Sequence, residues 1–327
     1  LYMNDRLVGI LSDGEFHSGV ELGELLGVTR TAVWKHVSQL ATYGLKVEKV
    51  KGKGYRLEHP LHLLDESRLR DALEGRWKDK LREFNVAHSV GSTNVELLKS
   101  SRDLPVGLYD ILLAERQTAG RGRRGRVWVS PFAQNIYMSV AVRLPGGFSV
   151  LNGLSLAIGA AVADAINTVC NIEVSLKWPN DVWYSERKLA GLLLEVQGEQ
   201  EGPVHVVVGL GVNVLMQPEA GRGIDQPWTA LNDVCEAGVD RNQLCVALID
   251  SVLLCLESYK SKGFLGLKGL WDKYDLLKGR QVMVSSGNEC WSGEYLGVSD
   301  EGYALVRGED GGLRSLAGGE ITVRPVS

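Results

Sequence analysis

The chain has 327 residues, 44% hydrophobic and 23% charged, an ordinary balance for a soluble globular protein of two or three domains. A formal charge of −4 excludes wholesale coating of nucleic acid, so any DNA contact must come from a local patch. The five cysteines are odd in number and never spaced C-x-x-C, which argues for reduced thiols over a disulfide frame or zinc site. No signal peptide opens the sequence and no apolar run approaches the ~18 residues of a membrane span. A cytoplasmic protein without membrane contact is expected.

Residues 3 to 57 read as a small module. Leu7, Ile10 and Leu11 mark a first helix stopping near Asp13-Gly14. Ser18 can cap a second helix carrying Leu22, Leu25 and Leu26, which ends at Gly27. Thr29 caps a third with Val33, Val37 and Leu40 on one face. Helix, Gly-containing turn and helix is the helix-turn-helix pattern, and Arg30, Thr31, Lys35 and His36 fall mostly off the apolar face, where a recognition helix reads the major groove. Two short strands around Lys51-Gly52-Lys53-Gly54 form a wing. From Lys46 to Arg56 five bases accompany the single acid Glu48. Such a unit can serve protein contacts alone, but bases on both wing and helix favour DNA. Lys51 and Lys53 would then grip phosphates while the helix supplies sequence choice.

A linker over 58–64 leads to a helix with Leu69, Leu73 and Trp77. A strand follows over 84–88, and Ser92-Thr93-Asn94 caps the helix over 95–100. The apolar run 111–114 delivers Gln117 and then Gly120-Arg121-Gly122-Arg123-Arg124-Gly125-Arg126. Its glycines spell G-x-G-x-x-G, but a dinucleotide fingerprint needs a helix at its third glycine. Here Val127-Trp128-Val129-Ser130-Pro131 follows, β-like and closed by proline. What remains is a glycine-hinged cationic loop, able to fold over a carboxylate or phosphate. A solvated loop that touches nothing is the bland alternative. Trp128 opens a return strand that runs on over 135–143, and 151–170 is an apolar core helix.

Residues 174–184 make a strand interrupted by Trp178-Pro179-Asn180-Asp181, and proline there implies an edge, bulge or bend. Asn180 and Asp181 suit a hydrogen-bonding or Mg2+-linked pair beside nucleotide phosphates, with Lys177 close by. Lys188 begins an apolar strand, where a lone lysine is more often solvated than catalytic. Gly209 and Gly211 alternate on one strand face with Asn213, leaving either a groove for a flat ligand or close strand packing. A helix over 242–274 precedes short strands at 281–284, 291–295, 304–306 and 321–323, the texture of a small barrel.

Gly-Arg-Gly-Arg-Arg-Gly-Arg-x-Trp at 120–128, followed by Lys-Trp-Pro-Asn-Asp at 177–181, resembles the biotin protein ligase family. With the helix-turn-helix in front, the chain is similar to the bifunctional members, which join ligase and biotin-operon repressor. The resemblance covers nearly the whole length and implies a multi-domain α+β protein. A winged helix-turn-helix would occupy 1–60, a ligase domain like class II aminoacyl-tRNA synthetases 65–276, and an SH3-like β-barrel 277–327.

By the same resemblance, biotin would be held by Ser92, Thr93, Asn94, Gln117, Arg121, Gly122, Arg123, Lys188, Gly209 and Gly211. Arg121, Arg123 and Lys188 would be catalytic. ATP or the adenylate would meet Arg124, Trp128, Lys177, Asn180, Asp181, Asn213, Trp228 and Arg241, with Asp181 also the Mg2+ ligand. The implied partners are the biotin carboxyl carrier protein of acetyl-CoA carboxylase, operator DNA and a second copy in an adenylate-bound homodimer. Lipoate ligases share the adenylation chemistry without this density of arginine, and a ligand sensor with a decayed enzyme domain is the other rival.

Overall fold

The computed structural model describes residues 3–198, 201–286, 289–318 and 321–325. Three helices, α1 (Met3–Leu11), α2 (Gly19–Leu26) and α3 (Arg30–Gln39), precede a hairpin of β1 (Val47–Val50) and β2 (Gly54–Leu57). Ser18 and Glu21 form a reciprocal capping box at α2, Gly27 ends that helix at φ 71°, and Thr29 accepts the Ala32 amide at 3.3 Å. Gly54 is required by close approach, since a Cβ there would lie 2.0 Å from the His17 carbonyl oxygen. The module is not closed on itself. Its core of Leu7, Leu11, Leu22, Val33 and Leu40 also takes in Phe132 and Ala133 from beyond the expected boundary. Phe132 stacks on Tyr43 with centroids 5.4 Å apart, so the winged unit is seated on the segment that closes the Gly/Arg loop.

The large domain is built on a seven-stranded sheet, ordered β3-β4-β5-β9-β8-β7-β6. Its strands are β3 (Leu81–Ala87), β4 (Tyr109–Ala114), β5 (Ile136–Leu144), β6 (Ser175–Lys177), β7 (Asp181–Tyr184), β8 (Arg187–Gln197) and β9 (Val204–Val212). Only β3 and β4 run parallel. Helices α4 (Glu66–Trp77), α5 (Thr93–Ser100), α6 (Leu154–Cys170), α7 (Arg241–Lys262) and α8 (Lys268–Tyr274) complete it. Leu154, Ile158 and Val162 of α6 and Leu248, Val252 and Leu256 of α7 are buried in one core with Val140 and Val208 of the sheet.

Several expected boundaries move. The return strand begins at Ile136, not Trp128, because the intervening chain folds back through an Arg121–Val127 bridge and a turn. Residues 174–184 form an antiparallel hairpin with a cis Trp178-Pro179 bond at its turn, so the proline marks a bend between two strands, and β6 is the sheet edge. The helix expected over 242–274 breaks at Gly263, where φ is 58°, giving α7 and α8. The span Phe148–Cys170, of mean hydropathy 1.6, is long and apolar enough to cross a membrane, against the expectation that no run would be. Its helix α6 instead packs in the domain core.

The C-terminal unit is a five-stranded antiparallel sheet ordered β13-β12-β11-β10-β14, consistent with an SH3-like barrel. It comprises β10 (Gln281–Ser286), β11 (Glu289–Val298), β12 (Ala304–Gly308), β13 (Leu313–Leu316) and β14 (Ile321–Pro325). Strand β13 escaped the sequence reading because its residues are almost all exposed. Where α8 meets this unit, burial pushes the Asp275 carboxyl up to about 6 against the lowering pull of the Leu277 amide and the Trp271 indole. A folded value above the ordinary 3.8 means a stability contribution that is full below about pH 4 and lost as pH rises through 6. Asp275→Asn is expected to flatten urea-denaturation stability over that window relative to the native chain. An unchanged pH slope would show that the carboxyl does not titrate with folding.

Candidate active site

One cavity of about 490 Å³ opens where the loop 117–131 covers β8 and β9, between the start of α5 and the β6–β7 turn. All ten residues assigned to biotin line it, as do Arg124, Trp128, Lys177, Asn180 and Asp181.

Part of its wall is a hydrogen-bond network. The Thr93 amide and hydroxyl both donate to Gln117 Oε1, at 2.9 and 3.2 Å, and Gln117 Nε2 donates to Ser130 Oγ at 3.3 Å. Ser139 Oγ lies 2.7 Å from Thr93 Oγ1 and 2.6 Å from Asn94 Oδ1. Asn94 Nδ2 donates to Glu195 Oε2 at 2.9 Å and to the Leu193 carbonyl at 3.1 Å. Ser92 occupies the N-cap position of α5 but makes no side-chain capping bond, a correction to the expected cap. With its hydroxyl uncommitted to the helix and on the cavity wall, Ser92 is available to a polar ligand group.

Beside this network the cavity wall is cationic. Arg121 Nη1 meets Glu195 Oε1 at 2.9 Å, and Lys188 Nζ meets Asp181 Oδ1 at 2.9 Å while lying 5.4 Å from the Trp128 ring centroid. Arg123 donates to Asn180 Oδ1 at 3.1 Å and to the Gly318 carbonyl, tying the loop to the C-terminal unit. Burial, with Arg124 alongside, draws the Arg123 guanidinium down from its ordinary value. Lys177 Nζ lies 4.1 Å from the Trp183 ring centroid. Arg124 holds φ 58°, uncommon for a residue with a Cβ, within the loop's short 3-10 turn.

The glycines of β9 do make room, but protein side chains take it. A Cβ at Gly209 would lie 2.3 Å from Asn94 Oδ1, and one at Gly211 would lie 2.4 Å from Trp128 Cε2. Close strand-to-strand packing is not what these glycines serve: they seat the Asn94 amide and the Trp128 indole, and both stay in the cavity wall.

Three residues assigned to the adenylate are not in the cavity wall. Arg241 is buried against Glu115 at 2.5 Å and donates to the carbonyls of His62, Ala133 and Asn135, which makes it a fastener beneath the winged unit. Asn213 donates to the Thr229 carbonyl at 3.1 Å and so links two chain segments. The Trp228 ring fills the space over Gly221, where a Cβ would lie 2.1 Å from it. The neighbouring 223–226 segment lines the cavity instead.

In the winged unit Arg30, Thr31, Lys35, Lys51 and Lys53 are exposed. His36 is not a free reader, because its Nδ1 lies 2.7 Å from Asn4 Oδ1 and joins α3 to α1.

Sequence reasoning missed Ser139, Ser130 and Glu195. Ser139 is a hydroxyl in the otherwise apolar run of β5, and Glu195 the acid that ends the apolar run of β8. Either break in pattern could have marked it.

Residues 86–213 match the biotin/lipoate A/B protein ligase family, and residues 5–56 match an HTH domain. The chain is 37% identical to the bifunctional ligase/repressor BirA of Escherichia coli, over 98% of this chain and 96% of that protein. It is 34% identical to the Bacillus subtilis protein of the same name, over 91% of each. The solved biotin protein ligase from Aquifex aeolicus, in complex with biotin and ATP, superposes with a TM-score of 0.64 at 29% identity, covering 75% of this chain and 100% of that one. A helix-turn-helix module in front of a domain whose cavity is lined by arginine and lysine, with relatives alike from end to end, leaves one conclusion: the chain belongs to the biotin protein ligase family, in its bifunctional ligase/repressor group.

Proposed function

We propose that the chain is an ATP-dependent biotin protein ligase and a biotinyl-AMP-dependent repressor of biotin synthesis genes. The observation that carries the ligase half is the lining of this cavity, which brings a hydroxyl–amide network together with Arg121, Arg123 and Lys188. Biotin's ureido group suits Ser92, Thr93 and Gln117, with Asn94 framing the ring and its carboxylate directed toward the cations.

In the first step a carboxylate oxygen attacks the α-phosphorus of ATP and pyrophosphate leaves, giving biotinyl-5′-AMP. In the second, a lysine amine of the biotin carboxyl carrier protein attacks the acyl carbon and AMP departs. The nucleophiles belong to the substrates, so the protein's part is placement and charge neutralisation. Lys188 and Arg121 offset repulsion between carboxylate and phosphate, and Arg124, Trp128, Lys177 and Asn180 border the nucleotide. Mg2+ would travel with the ATP phosphates, where it neutralises charge. Asp181, which shares the cavity wall with one other carboxylate, Asp225, would add a ligand to it; among the described residues no group of three His, Cys, Asp or Glu side chains could hold a metal by itself.

Arg123 closes the loop by reaching Asn180 and the Gly318 carbonyl, which keeps water and stray amines from the mixed anhydride. Arg123→Gly is expected to release the adenylate at least tenfold faster and to biotinylate exposed lysines indiscriminately. Release measured at the native rate would remove the shielding role.

Ordering of this loop by the adenylate would complete a homodimer surface, and two winged units would then meet a palindromic operator. Arg30, Thr31 and Lys35 would read bases while Lys51 and Lys53 grip phosphates. Carrier protein competing for the same surface would link repression to biotin demand. Sedimentation and operator binding with and without adenylate test this half. Adenylate that alters neither would restrict the chain to ligation.

A further inference from the structure

Two cations of the cavity are held by carboxylates, but in different ways. Lys188 and its partner Asp181 both lie in the cavity wall. Glu195 is not itself a wall residue, but one of its oxygens pairs at 2.9 Å with Arg121, which is. The second oxygen of Glu195 accepts Asn94 Nδ2 at 2.9 Å. Asn94 is 4% exposed and wedged against Gly209, whereas the Arg121 side chain is 52% exposed on a loop flanked by glycines. A single carboxylate therefore joins one fixed partner and one movable partner.

We propose that Glu195 is a positioning residue that stores Arg121 and surrenders it to an anionic ligand. The inference rests on the biotin ligase reading and names a control on that site. An anion entering beside Arg121 must either displace Glu195 or share the guanidinium with it, and in both cases it meets the repulsion of a second negative charge. The charge of Glu195 thus weakens anionic ligands selectively and leaves neutral ones of the same shape alone. Its bond to Asn94 keeps the amide seated while Arg121 leaves.

Glu195→Gln keeps an oxygen acceptor at that place and removes the charge. Calorimetric titration of the full chain with biotin, and with biotinol, whose alcohol replaces the carboxylate, separates the two effects. Biotin should bind about tenfold tighter to the variant than to the native chain, while biotinol is unchanged, and unchanged biotinol affinity also shows that the site is intact. Equal shifts for both ligands, no shift, or weaker biotin binding would each overturn the latch. Native protein that binds neither ligand would overturn the biotin reading, and the latch with it. Native protein that binds both, with a variant that changes neither, overturns the latch alone.

Discussion

Replacing Lys188 with alanine is expected to slow biotinyl-adenylate formation by about a thousandfold or more while leaving the fold intact. The effect has two sources. Lys188 is a cation in the cavity wall, at the start of β8, where carboxylate and phosphate must approach each other. It also neutralises Asp181 at 2.9 Å, so its removal turns a neutral pair into a bare carboxylate facing two anionic substrates. Lys188→Arg should recover part of the rate, because charge returns without the compact ammonium geometry. The check is single-turnover pyrophosphate release with circular dichroism on the same samples. A loss below tenfold in a folded Lys188→Ala protein would mean that Arg121 and Arg123 suffice and that Lys188 serves only to hold Asp181.

Breaking the Glu115–Arg241 pair should be the most destabilising polar substitution in the protein. Their side chains are 1% and 0% exposed, and the pair binds the carbonyls of His62, Ala133 and Asn135 as well as the Leu64 amide. It thereby fastens the linker from the winged unit, the segment behind Phe132 and the start of α7 at one point. Either Arg241→Met or Glu115→Leu strands a buried charge and is expected to cost about 3–5 kcal/mol in chemical denaturation. The double substitution should cost less than the sum of the two, because no orphaned charge remains, although the carbonyls and the Leu64 amide still lose partners. Strict additivity would mean that the two side chains act independently, against the geometry.

This pair also shows where sequence reading stops. The family resemblance assigns Arg241 to the adenylate, and nothing in the segment Asp240-Arg241-Asn242 says that the arginine turns inward to Glu115, 126 residues away. Local signals fared better. The Ser18 cap, the αL glycine at 27 and the Thr29 cap each mark a helix end through residues in the adjoining turn, so the helix-turn-helix was legible residue by residue. The Gly/Arg loop and the Trp178–Asp181 turn were legible as motifs, and the fold brings both to one cavity. Hidden from the sequence were contacts that strands make with a helix and a loop distant in the chain. Among these are Ser139 meeting Thr93 and Asn94, Glu195 meeting Arg121, and Trp128 occupying the space over Gly211. A boundary drawn at residue 60 from a change of texture is likewise blind to Phe132, which stacks on Tyr43 from beyond it.

The most direct test of the account is a single turnover of the full chain with Mg·ATP and one carboxylic acid at a time, biotin or lipoate, following pyrophosphate. The account predicts a burst with biotin alone, about one equivalent per chain, leaving adenylate tightly bound until carrier protein is added. A burst with lipoate and none with biotin, or silence with both, would contradict it.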